Sequence, residues 1–371
     1  MSNLIIIFFC FIPVLLNSQN INVYFGSADK TKGGIYHAKF DIEKGLLDNK
    51  GLAASHPSNF MAIHPNREII YSASIIDDLA VLAAYKITPD GHLKMLNKIE
   101  NPEGNAAHLA VHPSGKFIIT AHYGAGSTNV FSLNNKGLLQ KHIAGFKHQP
   151  ENPDKTMNRS GPHPHWTGFS PDGRFAFVPD LGLDEIFIYK ISAIEPFLEF
   201  HQRIAAPKGS GPRHMRFSVD GQYVFLLNEI SLSVTTYRYN SEIGTLKLLN
   251  TTPTLSNEQK AKHEDNRASE ILVHPNGKFV YSANRGDNSI TVFETDPKTG
   301  HLKVIQVEPI RGEWPRNINM DDSGKWLFAA GMRSNTVTIF SIDQLTGNLE
   351  FVPGNIHSIP GVLCILTVEE K

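Results

Sequence analysis

The chain has 371 residues, 41% of them apolar and 19% charged, which is enough apolar material for a substantial core and excludes a disordered chain. Lys plus Arg number 35 against 36 Asp plus Glu, a formal net charge of −1 with no basic run, so the charge pattern excludes the electrostatic footprint of a nucleic-acid binder. A small or neutral partner fits better.

Residues 4–16 are an apolar run followed by the polar Asn17-Ser-Gln-Asn20. The run is short for a transmembrane span and has the length of a signal-peptide core. Residues 1–18 are therefore read as a signal peptide, although no basic residue precedes the run; an uncleaved anchor is the alternative. Residues 19–371 then form the mature domain, secreted or periplasmic. No second long apolar run follows, so no membrane association is expected after cleavage, and the mature chain is read as a monomer. Cys10 lies in the signal, which leaves Cys364 alone within Val362-Leu-Cys-Ile-Leu366, where it reads as a small core residue.

Further along, five segments share one phrase: His112-Pro-Ser-Gly-Lys-Phe, Ser170-Pro-Asp-Gly-Arg-Phe, Ser218-Val-Asp-Gly-Gln-Tyr, His274-Pro-Asn-Gly-Lys-Phe and Asp321-Asp-Ser-Gly-Lys-Trp. A sixth, His64-Pro-Asn-Arg-Glu-Ile, lacks the glycine. Each is a tight turn leading into a β-rich run. The turn glycines 115, 173, 221, 277 and 324 are spaced by 58, 48, 56 and 47 residues, the period of a four-stranded propeller blade with loops of variable length. Sixteen residues after each comes an aromatic: Phe131, Tyr189, Tyr237, Phe293 and Phe340. Each closes a short alternating strand.

These six units and the N-terminal stretch from Asn22 to Phe40 predict an all-β, seven-bladed propeller of four-stranded antiparallel blades. The last blade is closed by strands from both ends of the chain. Rings of six or eight blades and an open β-solenoid are the alternatives. Residues 251–266 are polar and read as a surface insertion between blades.

The repeat also locates unusual residues. Eight positions before the turn glycines stand Ala107, His165, Arg213, Ser269 and Arg316; eight after stand Tyr123, Leu181, Glu229, Arg285 and Met332. Both sets lie at the hairpin end away from the turn, which predicts a funnel on one face ringed by His165, Arg213, Glu229, Arg285 and Arg316. Glu229 with Arg285 reads alternatively as an ordinary salt bridge between blades. His163-Pro-His165 has metal-ligand spacing, but no third ligand is evident and no metal or other cofactor is expected. His64, His112 and His274 belong to the turn phrase and read as structural. Gly124-Ala-Gly-Ser127 lacks the ending of a phosphate loop, Arg285-Gly-Asp287 is a chance-level adhesion tripeptide, and Gly-x-Ser-x-Gly is absent.

Gly209-Ser-Gly-Pro-Arg-His214, Asn228-Glu229, and the run from Glu270 through Asn284-Arg285-Gly286 resemble the seven-bladed propeller lactonase family, as does Gly361-Val-Leu-Cys-Ile365. That family includes bacterial propeller-type 6-phosphogluconolactonases and the fungal carboxy-muconate lactonizing enzyme. The resemblance implies a lactone-hydrolysing enzyme with a catalytic histidine, two arginines and a glutamate, which fall on His165, Arg213, Glu229 and Arg285. With Arg316, their neighbours His163, His214, Asn228 and Asn284 are the expected substrate-binding residues. Ala330-Gly-Met332 departs from the Ala-Asn-Gln phrase common in relatives. A small lactone or sugar acid is the implied partner, and an export signal favours an unphosphorylated aldonolactone. A muconate-type lactonizing isomerase and a non-catalytic ligand-binding propeller are the alternatives. Of His165 and Glu229, either suits the base.

Overall fold

The computed structural model describes residues 20–150 and 161–369; the expected signal sequence, residues 1–18, lies outside them. Seven four-stranded antiparallel sheets follow one another around an axis. The first six blades comprise residues 58–100, 108–147, 168–205, 212–253, 267–309 and 315–358. In the seventh, the innermost strand Val362–Glu369 pairs with Asn20–Ser27, which continues into Gly34–Asp41 and Leu46–Ala54. Strands from both ends of the sequence thus close the ring, which leaves no unpaired edge between its first and last blades.

The turn phrase does the predicted work. Its glycines have φ between +67 and +72, and Arg67 takes the same left-handed conformation (φ +59) in the turn that lacks one. The aromatics sixteen residues on are all buried in the layers between neighbouring blades, as where Phe340 packs with Phe279 and Tyr281. Two turn histidines staple one blade to the next: His112 Nε2 lies 3.0 Å from the Gly173 carbonyl, and His274 Nε2 lies 2.9 Å from that of Gly324. Of residues 251–266, read as a surface insertion, only 254–266 lie between the fourth and fifth blades. Residues 251–253 finish an outer strand, and a capping box of Ser256 and Gln259 then starts the exposed helix Asn257–Lys262, the only α-helix among the described residues. Cys364 is buried against Gly26, and burial pushes its thiol up to about 12, which makes it inert.

One irregularity recurs on the innermost strands. In the fourth blade the register slips between Pro212 and His214, which leaves Arg213 without a partner across the ladder. The same slip isolates Asn59 in the first blade and Arg316 in the sixth; in the fifth it falls at residues 269–270, and in the seventh at Leu363. A bulge re-aims the side chain of its extra residue. Here that seat faces the axis at the end of the shaft away from the turns. A proline stands immediately before His165, Arg213 and Arg316, where the missing N–H weakens the ladder.

Candidate active site

At that end of the shaft lies a cavity of about 320 Å3 lined by Asn59, Asn105, Ala106, Ala107, Tyr123, His165, Glu229, Arg285 and Arg316. Four of the five charged or imidazole groups read from the repeat therefore share one wall. The fifth, Arg213, is only 2% exposed and lies just behind it, around a small void with Asn59, His165 and Arg316.

Glu229 is the hub of the wall. Its Oε2 accepts from Arg213 Nε at 2.9 Å and pairs with Arg285 Nη2 at 2.9 Å, so the salt bridge between the fourth and fifth blades exists and is part of the cavity. The backbone beneath it is fixed as well. Glu229 N donates to the Gly211 carbonyl at 2.7 Å, and the Gly209-Ser-Gly211 loop is clamped by Asp184, whose carboxylate accepts from the Gly209 and Gly211 amides at 2.6 and 2.9 Å. Arg285 Nη2 also donates to the Ala268 carbonyl, and its guanidinium lies 5.4 Å from the centre of the Trp314 ring. The next residue, Gly286, has φ +89 and sits so close to Asn266 that a Cβ there would meet the Asn266 side chain at 2.6 Å. Arg316, by contrast, makes no hydrogen bond or ion pair among the described residues and keeps its donors for whatever enters.

The electrostatics follow from this arrangement. Burial alone would push the Glu229 carboxyl up, but Arg285 and Arg213 outweigh it and hold the group below its ordinary value, so it stays a carboxylate. His165 goes the other way: burial, then Arg213, His214 and Arg316, keep its imidazole well below 6.5 and neutral. Burial and Arg285 also press Arg213 down to about 9, still charged at neutral pH. With three guanidiniums against one carboxylate, the wall carries surplus positive charge.

The predicted substrate-binding neighbours are placed elsewhere, Arg316 excepted. Asn228 Nδ2 donates to Ser233 and Thr235, and Asn284 Nδ2 makes the same pair of bonds to Ser289 and Thr291; both side chains are fully buried within their blades. His163 stacks on Tyr123, with ring centres 4.3 Å apart, and its Nδ1 lies 2.7 Å from the Tyr123 carbonyl, so it supports a cavity residue. His214 stands one layer below the cavity. Arg213 can only donate, so its 3.0 Å contact with His214 Nε2 fixes the tautomer, and Nδ1–H donates to Glu270 at 2.9 Å. Glu270 is held in turn by Asn317 at 2.7 Å and Arg216 at 3.1 Å. Together with Phe60, His108 and Trp166 this layer plugs the shaft and separates the cavity from a second chamber of about 370 Å3 on the turn side.

Asn59 and Asn105 were not among the residues expected from the sequence. Asn59 had a signal: it stands eight residues before Arg67, which holds the glycine's place in its turn. Asn105 lies in the loop before the strand His108–Val111, where no register rule reaches. No group of three or more His, Cys, Asp or Glu suited to a metal ion occurs among the described residues.

A seven-bladed propeller whose axial cavity sets a neutral imidazole beside a cluster of guanidiniums has the architecture of a propeller hydrolase. The sequence model described as "Lactonase, 7-bladed beta-propeller" matches residues 22–367. A 6-phosphogluconolactonase of Bacillus subtilis is 32% identical over 299 residues, 78% of this chain and 83% of its own length. A candidate 6-phosphogluconolactonase from Bacteroides fragilis superposes with a TM-score of 0.85 at 26% identity, over 96% of this chain and 100% of that one. The periplasmic gluconolactonase of Pseudomonas aeruginosa shares the fold, with a TM-score of 0.79 at 21% identity over 94% and 99% of the two chains. The chain belongs to the seven-bladed β-propeller lactonase family.

Proposed function

We propose that the protein hydrolyses a sugar lactone to its open-chain acid, with 6-phosphogluconolactone or the unphosphorylated aldonolactone as substrate. The observation that carries this is the neutral His165 imidazole sharing a cavity with the Arg285 guanidinium and with Arg316, which makes no ion pair among the described residues. Lactone opening consumes one water. A base takes a proton as the water oxygen bonds the carbonyl carbon; the resulting oxyanion needs positive charge; the ring C–O bond then breaks, and its oxygen collects the proton. His165 fills the first and last roles. The Glu229 carboxylate is already engaged by both arginines through Oε2, so it acts by holding Arg213 and Arg285 in place.

The low affinity of His165 for a proton has two consequences. The imidazole is available as a base at neutral pH without prior deprotonation. Once protonated among guanidiniums, it is a strong acid toward the leaving alkoxide. Arg285 and Arg316 stabilise the oxyanion in a buried site where little solvent screens them. The test is a panel of lactones assayed for acid release with wild-type protein and His165→Ala. Turnover by the wild type, reduced about 10²–10⁴-fold in the variant, supports the assignment; no turnover of any lactone refutes it.

The apolar residues 4–16 support export, with residues 1–18 removed and residues 19–371 as the mature lactonase domain. Sequencing the N-terminus of the protein recovered from outside the cytoplasm tests this: a start at residue 19 is the expected result. No helix among the described residues is long and apolar enough to cross a membrane.

A further inference from the structure

The charged groups of the cavity come from one arc of the ring: His165 from the third blade, Arg213 and Glu229 from the fourth, Arg285 from the fifth and Arg316 from the sixth. The first and second blades face that arc across the axis and contribute Asn59, Asn105, Ala106, Ala107 and Tyr123. Asn59 holds the bulge seat that carries arginine in the fourth and sixth blades.

Neither cavity asparagine makes a side-chain hydrogen bond among the described residues, and the Asn105 Oδ1 is shielded from solvent with no partner. The Oδ1 atoms of Asn228 and Asn284 are likewise without a partner, so the difference lies in the amide nitrogens: in those two they are spent on serine and threonine hydroxyls within the blades, and in Asn59 and Asn105 they are not engaged by any described residue. A primary amide offers two donors and an acceptor in one plane. It can accept from one hydroxyl and donate to its neighbour, the arrangement that a vicinal diol presents.

We propose that Asn59 and Asn105 form the hydroxyl-reading half of the cavity and select lactones that carry a polyol chain. The inference rests on the lactonase reading and deepens it. The arc of arginines takes the reacting carbonyl and any anionic substituent, and the two amides take the neutral hydroxyls across from it. A lactone without hydroxyls displaces water from both amides and gives them no partner in return, which is why it binds poorly in the transition state.

The experiment compares glucono-δ-lactone with δ-valerolactone, which has the same ring and no hydroxyls, in wild-type protein, Asn59→Ala and Asn105→Ala. Each variant is expected to lose about tenfold or more in kcat/KM on gluconolactone, from the loss of one or two hydrogen bonds. Activity on δ-valerolactone should stay within about twofold, which also shows that the variants fold. Gluconate should inhibit the variants more weakly than the wild type, and inhibition by 5-hydroxypentanoate should not change. Equal losses on both lactones would make the asparagines structural, and unchanged gluconolactone turnover would place hydroxyl recognition elsewhere; either overturns the proposal. Should the wild type open neither lactone, nor 6-phosphogluconolactone, the hydrolytic reading fails. Gluconate binding by calorimetry then decides the subsite separately: weaker binding in the variants supports it, and equal binding overturns it.

Discussion

The fourth to sixth blades and the first two share a backbone plan, in all but the second down to the slipped register on the innermost strand, yet they face the axis with different chemistry. On one side the seat holds Arg213 and Arg316 and the neighbouring strands deliver Glu229 and Arg285; on the other it holds Asn59, beside Asn105, Ala107 and Tyr123. The repeat makes a ring of equivalent sockets, and function is written by what fills each one. The fillings also differ in cost. Buried guanidiniums need a counter-charge and a network of carbonyls, which explains the ties around Glu229. The asparagines carry no charge and need no counter-ion.

The largest effect that would sharpen this contrast is expected at Glu229. Glu229→Ala leaves Arg213 and Arg285 without their shared carboxylate, and removal of one partner from a buried ion pair costs about 3–5 kcal/mol. Denaturant unfolding should show that loss together with loss of turnover. His165→Ala should separate the two quantities, with activity down by the 10²–10⁴ given above and the unfolding midpoint little changed, because the imidazole makes no hydrogen bond that the fold depends on. A large midpoint shift there would mean that the charged arc depends on His165 for its structure.

Acid pH distinguishes the two sides next. In the folded chain His165, His108 and His214 are held well below 6.5, by burial first, and His122 is lowered to about 4. The unfolded chain binds protons at these groups near 6.5. Their contribution to stability is therefore complete above about pH 6.5 and lost as the pH falls through that window, at up to roughly 1.4 kcal/mol per pH unit for each histidine. Thermal midpoints against pH should fall accordingly. The acid limb of kcat/KM should lie well below 6.5, and a half-loss close to 6.5 would contradict the neutral, arginine-flanked imidazole. The smallest effect is expected at Asn284→Ala. Two hydrogen bonds to Ser289 and Thr291 are lost, worth about 1–3 kcal/mol of stability, while kcat/KM moves less than about twofold. A selective fall in kcat/KM would put Asn284 back in contact with substrate.

Much of this was legible in the sequence because the repeat carries its own coordinates. Five glycines in a left-handed turn and five aromatics at a fixed distance fix the blade register, and that register delivers His165, Arg213, Glu229, Arg285 and Arg316 to one end of the shaft. It failed where a rule depended on residue identity or on sequence adjacency. Arg67 adopts the turn conformation without being glycine, so the first blade's seat at Asn59 went uncounted. Asn228 and Asn284 were grouped with the site because they precede Glu229 and Arg285, but successive residues of a strand point to opposite sides. The neighbour of a cavity residue therefore faces its own blade. His214 follows Arg213 and lands in the plug for a related reason. Asn105 belongs to a loop, and loops are where the repeat varies in length.

The strand Val362–Glu369 has a further consequence for how the molecule is made. It is synthesised after every other described strand, yet it is the innermost member of the sheet begun by Asn20–Ser27. On the ribosome, six blades can be in place while the ring still gapes at its seam, with the first-made hairpin waiting for its partner. Leu363 comes with that strand and borders the void that also touches His165, Arg213 and Arg316. A nascent chain stopped a few residues early would hold nearly all of the protein's mass and still lack a finished chamber.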